Sequence, residues 1–242
     1  MTELMDDQLL NEFVQNFYGY GNYGGQFWFI GMEEGGGNSF SEINTRLSAW
    51  ANRGKKELED VEEYHNDIGV TKWFNDKPKL QPTWNKLIRV LLSSSGKLPT
   101  TEQVREYQKT LLGKQLGDTC LLELLPLPSP SIGQWLYAQC SQLPYLKDRE
   151  TYKQECITSR IAHLKDRINQ YKPKAVIFYG LSYQEYWKQI AGVDFYQSPE
   201  KIHAVRNEST LFVMAKHPAA QGVTSEYFHQ VGQLIAISSA QQ

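Results

Sequence analysis

The sequence predicts an α/β fold in which helices cover both faces of a mostly parallel sheet. Two observations carry this. Short apolar runs bounded by turn residues, at 27–30 (FWFI), 120–125 (CLLELL) and 174–180 (KAVIFYG), read as strands buried on both faces. Segments with apolar residues at helical spacing lie between them, and that alternation marks a parallel sheet. Right-handed crossovers would bring the carboxyl ends of these strands to one edge. Open α/β sheets bind ligands at that edge.

At 242 residues the chain is long enough to bury a substantial core. No flexible or charged linker interrupts it, so 1–242 reads as one domain. A net charge of −2 and a pI near 6.2 show no global basic bias toward nucleic acid, which leaves only a local basic groove for that purpose. Cys120, Cys140 and Cys156 are widely spaced and form no CxxC pair. Reduced thiols in a cytosol-like compartment and no zinc site are the expectation. Residues 1–14 (MTELMDDQLLNEFV) are acidic without a long apolar region, and no other run reaches spanning length. Neither a signal peptide nor a membrane span is expected. The 14 tyrosines and six tryptophans fit a ring-stacking surface and an aromatic core equally well.

Residues 7–18 place Leu9, Leu10, Phe13, Val14 and Phe17 on one helical face. A glycine–tyrosine loop at 18–25 leads into the first strand. Gly31 ends that strand, and Glu33, Glu34 and three glycines at 35–37 follow. Glycine lets backbone come close to a ligand. Residues 39–53 read as a helix with Ile43, Leu47 and Trp50 on one face. The charged run 55–63 reads as a solvated helix surface. Trp73, Phe74 and two prolines make 70–82 an irregular connection. Residues 83–93 and 101–112 read as helices, the second capped by Thr100 or Thr101.

Glu123 interrupts the run at 120–125, and Pro126, Pro128 and Pro130 follow it. An acid inside a buried strand is costly without a partner. Glu123 is therefore placed at a strand end facing a site, with the last turn of a helix as the alternative. Residues 132–140 and 148–171 read as helices. A strand at 174–180 precedes a helix at 182–191 capped by Ser182. Strands at 202–205 and 210–215 and a helix at 226–238 follow.

Aligned strand ends would gather Glu33, Glu123, Gly180 and His217. A carboxylate and a histidine so placed can divide a hydrolysis. The carboxylate orients or deprotonates water, and the histidine hydrogen-bonds charge developing on a leaving group. Glu33, or Glu34, and His217 are the candidate pair. The plainer alternatives are a strand followed by a surface turn and a structural histidine before proline. Two adjacent acids could also hold magnesium through a substrate phosphate, but on an extended loop they would point apart. No GKS or GKT follows the glycines, and no GxGxxG is present, so neither a Walker loop nor a dinucleotide fingerprint is read. Trp28, Trp50, Trp84 and Trp135 read as core. His65, His163, His203 and His229 share no metal-binding spacing, and Cys120 reads as a small core residue. No metal and no cofactor are expected.

In their order these motifs resemble the uracil-DNA glycosylase superfamily. The order is buried strand, G-M-x-x-G loop, leucine-rich strand, proline loop, A-V-I-F-Y-G strand, and a strand ending in H-P with small residues. The superfamily's first motif takes forms such as GQDP, GINPG, GMNPG or GEAPG, and its last takes a form such as HPSP. Here they stand as Gly31-Met32-Glu33-Glu34-Gly35 and His217-Pro218-Ala219-Ala220. The similarity runs from about residue 26 to the C-terminus. It implies a three-layer αβα fold with a central, mostly parallel four-stranded sheet.

The resemblance also implies roles. Glu33 falls on the water-positioning acid or amide, and His217 on the histidine that holds the pyrimidine O2. Phe40 would stack on the flipped base. Glu123 lies where an Asn often reads the Watson–Crick edge, and Gly31, Met32 and Glu34 would contact the substrate. Gln221, Gly222 and Val223 would enter the duplex, where unstacking a base costs a few kcal/mol.

The departures shape the expectation. Glu34 replaces the proline that normally follows the catalytic position. Glu33 is one methylene longer than Asp, which would move a bound water by about an ångström, and a shift of that size can cost about 10²-fold in rate. An ionised Glu123 cannot donate to O4 of uracil, but it could accept from an exocyclic amine. Ala219 and Ala220 remove the serine that usually contacts phosphate, and the low pI disfavours tight duplex binding.

The sequence thus predicts a diverged glycosylase hydrolysing the N-glycosidic bond of a modified or deaminated base in DNA. The second class is the same fold kept as a non-cleaving module for a base, nucleotide or nucleic acid. The third is a different α/β hydrolase or a phosphate-binding enzyme whose acid pair holds a metal. Expected partners are DNA, including single strands, or a free base or nucleotide. The protein is expected to be cytoplasmic, monomeric and free of membrane contact.

Overall fold

The computed structural model describes residues 3–131, 133–196 and 201–240. Its strands are β1 (Gly19–Gly21), β2 (Phe27–Glu33), β3 (Leu58–Glu59), β4 (Thr119–Leu125), β5 (Ala175–Tyr179), β6 (His203–Arg206) and β7 (Leu211–Ala215). They form one mixed sheet in the order β3-β1-β4-β2-β5-β7-β6. β4, β2, β5 and β7 are parallel neighbours. β1 runs antiparallel to β4, with β3 parallel beside it, and β6 runs antiparallel to β7.

The sheet therefore has seven strands, not four. The central four are the near-continuous apolar runs of a doubly covered sheet. β1 and β3 escape such a reading because glycine and glutamate are poor strand markers. Gly19 has a physical role there. A Cβ on it would sit 2.0 Å from the carbonyl oxygen of Leu121, so β1 approaches β4 more closely than any side chain permits.

The helices are α1 (Asp7–Asn16), α2 (Phe40–Asn52), α3 (Val61–Asp67), α4 (Pro82–Ser93), α5 (Thr101–Thr110), α6 (Tyr137–Cys140), α7 (Arg149–Tyr171), α8 (Gln184–Ala191) and α9 (Ser225–Ala240). Ser39, Thr100 and Asp148 cap α2, α5 and α7 through their side chains, each satisfying an amide that the helix leaves unpaired. α7 packs on β4, α8 and α9 pack on β7, and α4 packs on α9. No described helix is long and apolar enough to cross a membrane.

Three local expectations fail for identifiable reasons. The run 55–63 is not a solvated helix. Glu59 in β3 is fully buried, its carboxylate held at 2.8 Å by Arg53, and Asp60 then caps α3. Ser182 does not cap α8, because a 3₁₀ turn over Leu181–Tyr183 precedes that helix. The helix expected over 132–140 is only α6. Ser129 Oγ is hydrogen-bonded to the carbonyls of Ser131 and Gln134, which holds a turn, and residue 132 lies outside the described residues.

One buried cation fixes the end of β4. Arg160, 2% exposed, donates to the carbonyls of Leu124 (2.6 Å), Glu123 (2.9 Å) and Val14 (3.2 Å). Its guanidinium lies 3.7 Å from the centroid of the Tyr18 ring. It thereby ties α1 and α7 to the strand segment that carries Glu123.

Candidate active site

Because β2, β4, β5 and β7 are parallel, their carboxyl ends lie side by side, with Gly31 in register with Glu123. A cleft of about 510 Å³ opens there. Glu33, Glu34, Glu123, Tyr179 and His217 line it, joined by Tyr20, Arg46, His65, Trp73 and Trp84 from outside the central strands. A larger and more open hollow of about 730 Å³ lies over α2 and α3. Its Arg53 is already engaged by Glu59, Glu63 and Asp67, so the cleft is the candidate site.

Glu33, the last residue of β2, forms an ion pair through Oε1 with Arg149, the first residue of α7. The Arg149 guanidinium sits 5.9 Å from the centroid of the Trp135 ring. Glu33 Oε2 is buried and has no hydrogen-bond partner among the described residues. Burial pushes the Glu33 carboxyl up from its ordinary value, and Arg149 opposes that shift. One oxygen is thus occupied and the other is buried without a partner.

Glu123 Oε1 accepts from the hydroxyl of Tyr179 at 2.8 Å. Burial pushes this carboxyl up to about 8; Tyr179 works against the shift, and the charges of Glu34 and Glu33 add to it. Burial thus favours the protonated acid at neutral pH over the ionised acceptor considered from the sequence. Gly31 makes room for this pair. A Cβ there would fall 2.3 Å from the Tyr179 hydroxyl oxygen and 2.5 Å from Glu123 Oε2.

His217 follows β7. The amide of Ala219 donates to its Nδ1 at 3.1 Å. A ring nitrogen that accepts carries no proton, so the neutral ring is protonated on Nε2. Burial lowers its pKa and favours that neutral form. The Tyr179 ring lies beside it, 5.6 Å between centroids.

Glu34 turns to the other side of the cleft. Its Oε2 accepts from Tyr20 Oη at 3.0 Å and from Arg46 Nη1 at 3.1 Å. Its Oε1 lies 3.8 Å from His65 Nε2.

Of the residues singled out in the sequence, Glu33, Glu34, Glu123 and His217 meet in the cleft, with Gly31 against the Glu123–Tyr179 pair. The Met32 side chain is buried in the core instead. Phe40 begins α2 and packs half-buried against the core without lining the cleft. Gln221 and Gly222 are exposed in a turn and Val223 is half-buried; its amide donates to the Ala220 carbonyl. That turn borders the site through Ala219 but none of the three lines it. Trp84, read as core, does line it, as does Trp73. Among the described residues no three His, Cys, Asp or Glu side chains gather as a metal-ligand set.

No family model matches this chain, and no curated protein matches it.

Proposed function

We propose that the cleft hydrolyses the N-glycosidic bond of a modified or deaminated base in DNA. The observation that carries this is the hydrogen-bond state of His217. With Nδ1 accepting from Ala219, the ring keeps an Nε2 proton to donate as negative charge builds on the departing base. Glu33 supplies the other half. Arg149 holds Oε1 and favours the ionised carboxylate; Oε2, unpartnered but buried, accepts from an attacking water once the side chain turns it into the cleft. A carboxylate also favours the positive charge that develops on a sugar as its glycosidic bond breaks. Protonated Glu123, its Oε1 held by Tyr179, keeps its O–H on the buried Oε2 in the lining of the cleft. The parallel block β4-β2-β5-β7, with helices packed against it, supports the three-layer αβα arrangement of the superfamily that the motifs resemble. The substrate is a single strand or a base flipped from a duplex, and the protein acts as a cytoplasmic monomer.

The ion pair between Glu33 and Arg149 supports a second reading, a module that binds a base, nucleotide or nucleic acid without cleaving it. There Arg149 withdraws an oxygen from water, and the cleft tryptophans serve as stacking surfaces.

A panel of labelled oligonucleotides carrying uracil, hypoxanthine, xanthine or mismatched thymine tests the first reading. After incubation, heating in alkali cuts any abasic site. Cleavage that is lost in Glu33→Gln and His217→Ala supports hydrolysis and names the base. Intact strands in every form would leave the binding module.

A further inference from the structure

His65 and Glu34 present a pair of hydrogen-bond acceptors to the cleft with no donor between them among the described residues. The Nδ1 of His65 lies 2.7 Å from the carbonyl oxygen of Val61. A carbonyl can only accept, so Nδ1 carries the ring proton and Nε2 carries a lone pair. That lone pair faces Glu34 Oε1 at 3.8 Å, beyond hydrogen-bond range. Burial disfavours the charged ring and lowers the His65 pKa, although Glu34 opposes this. Tyr20 and Arg46 hold the other Glu34 oxygen, so the carboxylate cannot turn to relieve the opposition. His65 itself is 3% exposed and clamped among Tyr20, Phe74 and Trp84, with ring centroids 5.4, 5.9 and 5.3 Å away. Two rigid acceptors 3.8 Å apart thus line a cleft walled by Tyr20, Trp73 and Trp84.

We propose that His65 Nε2 and Glu34 Oε1 form a subsite for a primary amino group carried on a planar nitrogen heterocycle, as in cytosine or adenine. An amino group has two N–H donors, one for each acceptor. The flanking rings suit a flat heterocycle better than a compact ammonium ion. A keto group in the same place would set a third acceptor against the first two, each then unpaired in a confined space. The subsite stands on the hydrogen-bonding complement of this side of the cleft and not on the proposed cleavage by Glu33 and His217. It can select a neighbouring base in a strand as readily as the base being released.

Calorimetric titration of the whole protein with matched pairs tests this: cytidine against uridine, and adenosine against inosine, with methylammonium as a third arm. The amino member of each pair is expected to bind about 5- to 100-fold more tightly, the discrimination of a two-bond match. Glu34→Gln is the diagnostic variant. Its amide oxygen can keep Tyr20 and Arg46 while its NH₂ donates to His65 Nε2 and closes the subsite. That variant is expected to stay folded by circular dichroism, at a lower thermal midpoint because Arg46 loses a charged partner, and to lose the amino preference. Equal or keto-favouring binding, no binding by any nucleoside, or binding of methylammonium alone would overturn the proposal. So would an unchanged preference in Glu34→Gln. Because the readout is binding, failure to cleave any oligonucleotide leaves this result standing, and the reverse is equally true.

Discussion

Gly31→Ala tests whether the glycine in the first motif exists to seat the Glu123–Tyr179 pair. The added methyl would lie 2.3 Å from the Tyr179 hydroxyl oxygen, 2.4 Å from its Cζ and 2.5 Å from Glu123 Oε2. Ordinary contacts begin near 3.4 Å, so about an ångström of movement is demanded of two buried, hydrogen-bonded side chains. Overpacking of this kind costs about 1–3 kcal/mol. Tyr179→Leu removes both the hydroxyl and the Cζ atom. By itself it should cost about 2–4 kcal/mol in lost packing and a lost hydrogen bond. In the double variant most of the clash disappears, so the two losses should fall short of their sum by about 1–2 kcal/mol, well outside the additivity error of distant sites. Urea unfolding of all four proteins at pH 6, where Glu123 is protonated, measures this coupling. Additivity within about 0.5 kcal/mol would refute the reasoning.

Other expectations follow from the buried charges. Removing Arg160 as Arg160→Met should destabilise by about 3–5 kcal/mol, since three carbonyls lose a charged donor and the relieved cost of burying the cation offsets only part of that loss; urea unfolding checks it. Burial raises Glu123 to about 8 in the folded state, so between its unfolded value and pH 8 the folded protein keeps a proton that the unfolded chain releases, and stability should fall as pH rises through that window. Glu123→Gln removes this slope, so its melting temperature should exceed that of the parent at pH 8 but not at pH 4. Glu57 behaves in the opposite sense. Burial would raise it, but hydrogen bonds from His163 and Tyr23 outweigh burial and hold it near about 2. Its contribution is present above the ordinary carboxylate pKa and is lost as pH falls toward 2, so Glu57→Gln should lose less stability than the parent between pH 5 and pH 2.

The central strands were legible because burial on both faces leaves an uninterrupted apolar signature, as in Phe27–Ile30 of β2 and in all of β5. Glu123 was legible for the converse reason: an acid in such a run needs a partner, and Tyr179 provides it. β1 and β3 were not, since their pairing rests on the close approach of Gly19 and on the Arg53–Glu59 ion pair, which depend on residues far apart in the sequence or in neighbouring elements. The second half of the cleft was hidden in the same way. Arg46 stands on the apolar stripe of α2 with Ile43, Leu47 and Trp50, and His65 shares a buried face of α3 with Val61. A charged or polar residue on an apolar stripe is a visible signal of a buried partner, but it does not say which partner. Arg149 gave less warning, because a basic residue at a helix start looks like any surface position until α7 is docked beside β2. Phe40 was placed at the site by motif order alone, and the helix cap at Ser39 turns it onto the core.

On the proposed function, the sheet-edge cleft breaks an N-glycosidic bond through Glu33 and His217. Intact-mass spectrometry of single-turnover reactions, with the protein in excess over a uracil- or hypoxanthine-containing strand, tests it most directly. The expected result is a strand that has lost the base and gained a water, with the free base in solution, and neither product in Glu33→Gln or His217→Ala. Unchanged strand masses, or base release that persists in both variants, would contradict the claim.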